Sequence, residues 1–192
     1  MILVLLRHGR TQANEAHLYC GSTDLSLSEN GRAELEERKR KVRYPSMEGL
    51  RICTSGMQRT NETLKILYGV EPEDILPQLA EMDFGSFEMH SYNELKEDPE
   101  YLKWILDETG TIPAKTGESR RQFHDRVCTC IDSLDRDSLI VTHGGVITAI
   151  MTYLFPEEHK GFYDWQPDCG CGYLIDTRLH TYTKIGEEEN ET

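Results

Sequence analysis

The sequence predicts an α/β fold: a three-layer sandwich with a mostly parallel central sheet flanked by helices. Three observations lead there. The chain opens on six apolar residues, MILVLL, which stop abruptly at Arg7, His8, Gly9 and Arg10. A second junction of this kind lies at 138–145, where SLIVT runs into His143, Gly144 and Gly145. Around these two, short strand-like runs alternate with helical stretches, as they do when helices cross over between parallel strands.

Taken in order, residues 1–6 read as a strand buried on both faces, because a near-continuous apolar run suits a central parallel strand. The polar segment 9–27 reads as a long functional loop with some helix near 11–16. Ser26 and Glu29 have capping-box spacing, which predicts a helix from about Leu27 through AELEERKRKV, ending before Pro45. Its basic end, 38–43, suits a helix C-terminus better than a nucleic-acid patch. A second strand is expected at 50–53, a turn at 54–56, and a helix to Tyr68 that Gly69 stops. A third strand is expected at 75–79, a helix at 91–108, a loop at 109–117 and a helix at 118–134. The strand at 138–142 is followed by a Gly-Gly turn and an apolar helix, 146–154, which Pro156 ends. Strands at 172–175 and 181–185 close the predicted domain.

The expected organisation is one domain over 1–186, with 187–192 (EEENET) a disordered acidic tail. The longest apolar run has six residues, far below the ~20 of a membrane span. The opening run lacks a preceding basic region and a cleavage site, so no signal peptide is expected and a cytoplasmic location is. With no export signal, the six cysteines are not expected to form disulfides. Cys128 and Cys130 fall in a predicted helix, where i and i+2 point to different sides, so the C-x-C pairs are not expected to bind metal. The net charge of −13 argues against a nucleic-acid or membrane surface. It leaves an anionic small molecule open, since a local pocket decides binding.

The chemistry stands at the strand ends. Arg7 and His8 follow the first strand, Arg59 lies in the first turn after the second, and His143 follows the buried strand at 138–142. Ligands of such sheets bind beyond the carboxyl ends of the strands. If these strands are neighbours, four potentially cationic groups converge, and only a dianion such as phosphate neutralises them. Arginine forks match its oxygens. Helices starting after Gly9, Gly56 and Gly144 add amide donors. Each piece alone is ordinary: a strand-end histidine is usually structural, a helix arginine usually on the surface, a Gly-Gly usually a tight turn. Their coincidence at three junctions is not.

These residues carry a resemblance. The run R-H-G-x-T-x-x-N at 7–14 resembles the signature of the histidine phosphatase superfamily, the phosphoglycerate-mutase-like fold. LSLSENGR at 25–32, TSGMQRTNET at 54–63, LAEMDFGSFE at 79–88, GES at 117–119 and VTHGG at 141–145 continue it in order. Within the family, LPQLAEMDFGSFEM and the spacing of HLYCGSTDLSL after Asn14 look most like the α-ribazole phosphatase branch. Phosphoglycerate mutases of the family are usually longer and carry an insertion missing here.

The resemblance implies a metal-independent, cofactor-free phosphomonoesterase working through a phosphohistidine. It makes His8 the nucleophile and Glu81 the acid that protonates the leaving oxygen, with Asp83 as its rival. It makes Arg7, Asn14, Arg59, His143 and Gly144 the phosphate-binding set, with His143 protonated by the bound dianion. The implied substrate is α-ribazole 5′-phosphate, of cobalamin assembly. A broad-specificity phosphatase, a cofactor-dependent phosphoglycerate mutase and a binding protein on a dead scaffold are the alternatives. The expected partner is a small phosphomonoester, with neither nucleic acid nor membrane; a homodimer stays open. Cys20 lies where relatives often carry a polar phosphate contact, but a thiol donates weakly. Phe84, Phe87, Tyr92, Tyr101 and Trp104 fall in the lid segment, Trp104 expected to pack beneath it. Arg10 stands where relatives carry glutamate; it either reaches a second anionic group or pairs with a local acid such as Glu15.

Overall fold

The computed structural model describes residues 1–186, so the expectation for the tail 187–192 lies outside the described residues. Six strands form one sheet in the order β3-β2-β4-β1-β5-β6. They are β1 (Ile2–Arg7), β2 (Arg51–Thr54), β3 (Asp74–Ile75), β4 (Ser138–Thr142), β5 (Gly172–Asp176) and β6 (Thr181–Ile185). β1, β4, β2 and β3 run parallel, and β5 and β6 add an antiparallel edge beside β1.

Alternation along β1 sorts the core into two layers. Leu3 and Leu5 point to the face covered by α6 (Arg120–Asp132) and α7 (Gly144–Leu154), in one apolar cluster with Phe123, Val127, Val146 and Ile150. Val4 and Leu6 point to the other face, with Leu35 of α2 (Glu29–Lys41) and Leu64 of α3 (Gln58–Tyr68). Leu3, Val4, Leu5 and Leu6 are all fully buried. Each such side chain contributes roughly 1.5–3 kcal/mol, which fixes the register that places Arg7 at the strand's end.

Several boundaries differ from the sequence expectation. The cap of α2 is Ser28, whose hydroxyl accepts from Gly31 N at 2.9 Å, and not Ser26, which reaches Gln58. This shift seats Leu27 in the core, 5% exposed. The strand expected at 75–79 is only β3; Pro77 lacks the N–H a ladder needs, and Pro77–Leu79 forms a 3₁₀ turn. The helix expected at 91–108 is two, α4 (Tyr92–Leu95) and α5 (Pro99–Ile105), because Asp98 caps a new start with Pro99 in its first turn. Gly144 and Gly145 form no separate turn but open α7 itself. The short helices α1 (Gln12–Glu15) and α8 (Phe162–Trp165) complete the set, the latter not expected from sequence.

Candidate active site

β1, β2 and β4 are neighbours and parallel, so their carboxyl ends share one edge of the sheet. His8 leaves β1 with its amide bound to Thr142 O at 2.9 Å. Gly9 N donates to Thr63 Oγ1, which pins the loop to α3. The His8 ring is 5% exposed and lies 5.1 Å from the His143 ring, edge to face. His8 Nδ1 stands 2.6 Å from Gly9 O. A carbonyl only accepts, so Nδ1 carries the proton and Nε2 keeps its lone pair. Burial, then the Arg59 charge, hold this imidazole well below its ordinary pKa, so it is neutral near pH 7.

His143 is fully buried at the N-terminus of α7. Arg59 Nε donates to its Nδ1 at 3.3 Å, and its Nε2 pairs with Ser55 Oγ at 2.8 Å. Ser55 passes the chain to Thr60, and Thr60 to Met57 O. Burial, then the neighbouring His8 and Arg59, keep His143 well below its ordinary pKa.

Both arginines are held by carbonyl oxygens. Arg7 Nη1 donates to Pro167 O at 2.7 Å, and its Nε is buried without a protein partner. Arg59, 1% exposed, donates to Gly21 O at 2.8 Å and Thr23 O at 2.9 Å. Two cations stay fully charged here while their orientation is fixed, an arrangement suited to an anion with several oxygens.

The two glycines of α7 make room for this chemistry. A Cβ on Gly144 would stand 3.1 Å from the Arg7 guanidinium, and one on Gly145 2.5 Å from Glu81 Oε1. Glu81 itself accepts from Gly145 N at 2.9 Å, which brings its carboxylate within two residues of His143. Its rival Asp83 is spent on Ser22 Oγ and Gly85 N in a local turn. Behind Glu81, Arg126 donates to Gln78 O, Ala80 O and Glu81 O and pairs with Glu118 at 2.6 Å.

The structure thus gathers Arg7, His8, Arg59, Glu81, His143 and Gly144. Asn14 stands in the adjoining α1, its Oδ1 accepting from the backbone and hydroxyl of Thr11 in a capping box. Arg10 is exposed and pairs with Glu34 at 3.1 Å rather than Glu15, which accepts from Ser28. Cys20 Sγ reaches Thr23 O, and burial raises its pKa. Cys128 and Cys130 are buried in α6, and no metal-holding group of three or more His, Cys, Asp or Glu occurs among the described residues. In the lid segment, Phe87, Tyr101 and Trp104 are buried while Tyr92 is 58% exposed. Tyr19 joins this cluster through a 2.6 Å contact between its hydroxyl and that of Tyr101. A groove of about 800 Å³ between α2 and β6 is lined by none of the six gathered residues.

Sequence reasoning missed Ser55, Pro167, Arg126 and Glu88. Pro167 acts through a backbone carbonyl, which carries no side-chain signature. Ser55 lies in the TSG turn and was legible only as a turn residue.

Comparison with known proteins agrees with this geometry. The family described as the histidine phosphatase superfamily (branch 1) matches residues 3–183. The adenosylcobalamin/alpha-ribazole phosphatase of Salmonella typhimurium is 34% identical over 185 residues, covering 92% of this chain and 90% of that protein. A crystal structure from Escherichia coli K-12, described as a candidate alpha-ribazole-5′-P phosphatase, superposes with a TM-score of 0.81 at 27% identity, covering 96% of this chain and 94% of that one. A phosphoglycerate mutase from Thermus thermophilus superposes at 0.74 with 30% identity, covering 92% and 93%.

Proposed function

Because the chain belongs to the histidine phosphatase superfamily and is a phosphoric monoester hydrolase, we propose that it hydrolyses α-ribazole 5′-phosphate through a phosphohistidine on His8. The observation that carries the mechanism is the His8 ring, neutral and with Nδ1–H tied to Gly9 O, beside two arginines oriented by carbonyls and not by acids.

In this reading His8 Nε2 attacks phosphorus as the ester P–O bond breaks. Glu81 gives its proton to the leaving oxygen, then accepts one from the water that cleaves the P–N bond, releasing phosphate and free His8. Arg7, Arg59 and His143 take the charge that spreads over the phosphoryl oxygens. The Gly144 amide and the Asn14 carboxamide nitrogen add donors. The bound dianion favours a protonated His143, reversing the effect of burial, and this requires Arg59 Nε to leave Nδ1. The arginines supply the positive charge a metal would bring, so the reaction needs none.

The substrate assignment rests on the Salmonella relative and on the motif LAEMDFGSFEM. A panel of phosphomonoesters ranked by kcat/KM tests it, with α-ribazole 5′-phosphate expected first. Equal rates across the panel would make the enzyme a broad phosphatase. Phosphoglycerate isomerisation faster than hydrolysis would make it a mutase, the reading that the Thermus structure favours.

A further inference from the structure

Arg59 is a buried cation, and among the described residues it forms no ion pair. Buried charges seldom stand without a countercharge. Glu88 lies across a single strip of backbone from it. Glu88 accepts from Gly21 N and Ser22 N at 3.0 Å, Thr23 N at 3.3 Å and Thr23 Oγ1 at 2.8 Å, and from Phe84 N at 3.1 Å. The opposite edge of the same strip holds Arg59, through Gly21 O and Thr23 O. The peptide between Gly21 and Ser22 is therefore bound at both ends. Its N–H faces the carboxylate and its C=O faces the guanidinium, so each charge polarises it toward the other.

We propose that Glu88 is the positioning residue of the phosphate grip, supplying Arg59 with its countercharge through one peptide group instead of by contact. The proposal rests on Arg59 being a phosphate ligand. A carboxylate in direct contact would occupy the N–H groups that an anion needs. Of the five guanidinium N–H groups, three are spent on His143, Thr23 and Gly21. Two stay for ligand, and Glu88 sets where they point by fixing the strip. The same carboxylate binds Phe84 N, so it ties the acid-bearing segment to the grip as well.

A double-mutant cycle tests this on the full chain. Glu88→Gln, Arg59→Lys and the double variant are compared by kcat/KM for p-nitrophenyl phosphate and by calorimetric affinity for inorganic phosphate. Glu88→Gln keeps the shape and removes the charge and some of the acceptors. It is expected to weaken both quantities by about tenfold to hundredfold, the range for hydrogen bonds to charged groups. In the Arg59→Lys background, where the fork is gone, the same change is expected to cost less than about twofold. Equal losses in both backgrounds would overturn the proposal, as would a lowered melting temperature with phosphate affinity intact. If Glu88→Gln does not fold, Glu88→Asp carries the same cycle with a partial loss expected. An Arg59→Lys variant that binds phosphate as tightly as wild type would remove the reading of Arg59 itself, and this proposal with it.

Discussion

Arg59 and Arg126 reach the same site from its two sides and are held by opposite means. On the His143 side, Arg59 is fixed by two carbonyl oxygens and the His143 ring, so its charge is undiminished by contact with any acid. On the Glu81 side, Arg126 is bound to Glu118 by two nitrogens and spends the rest of its guanidinium on the backbone that carries Glu81. One arginine is oriented and left charged; the other is neutralised and used as a clamp. Arg59 is buried and Arg126 half-buried, and the difference teaches that depth alone does not decide what an arginine does. Its partners do.

The largest effect that separates grip from chemistry is expected from His8→Ala. It should lower kcat by about 10⁴-fold or more while inorganic phosphate still binds, because Arg7 and Arg59 keep their carbonyl partners. Turnover within tenfold of wild type, with a folded variant, would remove His8 from the nucleophile's role. Glu81→Gln comes next. With an alkyl phosphate, whose leaving oxygen needs a proton, kcat should drop about 10²-fold or more. With p-nitrophenyl phosphate the loss should be much smaller, and equal losses would show that Glu81 is not the acid.

The arginines themselves give a smaller, thermodynamic contrast. Arg126→Met strands the Glu118 carboxylate and frees three carbonyls, so urea unfolding should register a loss of about 2–3 kcal/mol. Arg59→Met frees two carbonyls but strands no contacting acid, so its stability loss should be smaller than that of Arg126→Met while phosphate affinity collapses. The reverse ordering of stabilities would break the comparison.

The most gradual effect is in pH. Both imidazoles have folded-state pKa values below the unfolded value of about 6.5, through burial first and neighbouring charge second. The unfolded chain therefore binds more protons below that pH. Stability should be fully present above pH ~6.5 and fall below it by about 1.4 kcal/mol per pH unit for each histidine. Saturating phosphate should flatten this slope, because the bound dianion favours an imidazolium. A slope unchanged by phosphate would separate the histidines from the anion site.

The parts of this arrangement that were legible in the sequence are those where side chains do the work. Arg7, His8 and His143 announced themselves by ending apolar runs, and β1 and β4 were plain because burial on both faces leaves a continuous apolar pattern. Arg59 was legible in the first turn after the second strand, and the motif match then added Glu81. What was not legible works through the main chain. The hold of Pro167 on Arg7, and of Gly21 and Thr23 on Arg59, depends on where carbonyls come to lie after folding. Glu88 and Arg126 drew no functional reading, because most of their partners are backbone groups, which leave no mark on residue choice. The split at Pro99 and the 3₁₀ turn at Pro77 were missed because helical and strand periodicities were carried across a proline that interrupts them.

The strip of backbone between Glu88 and Arg59 has one more consequence, for how such a sequence can drift. Its working atoms at 21–23 are mostly amides and carbonyls, identical in every residue but proline. Ser22 is exposed, and its side chain reaches Asp83 and not Glu88 or Arg59, so the grip itself does not depend on it. Gly21 is not, since a Cβ there would stand 1.6 Å from Met82 O. Two enzymes could therefore share this grip while agreeing along the strip only at Gly21 and at a hydroxyl on residue 23, and an aligner weighing side chains would score the region as weakly related.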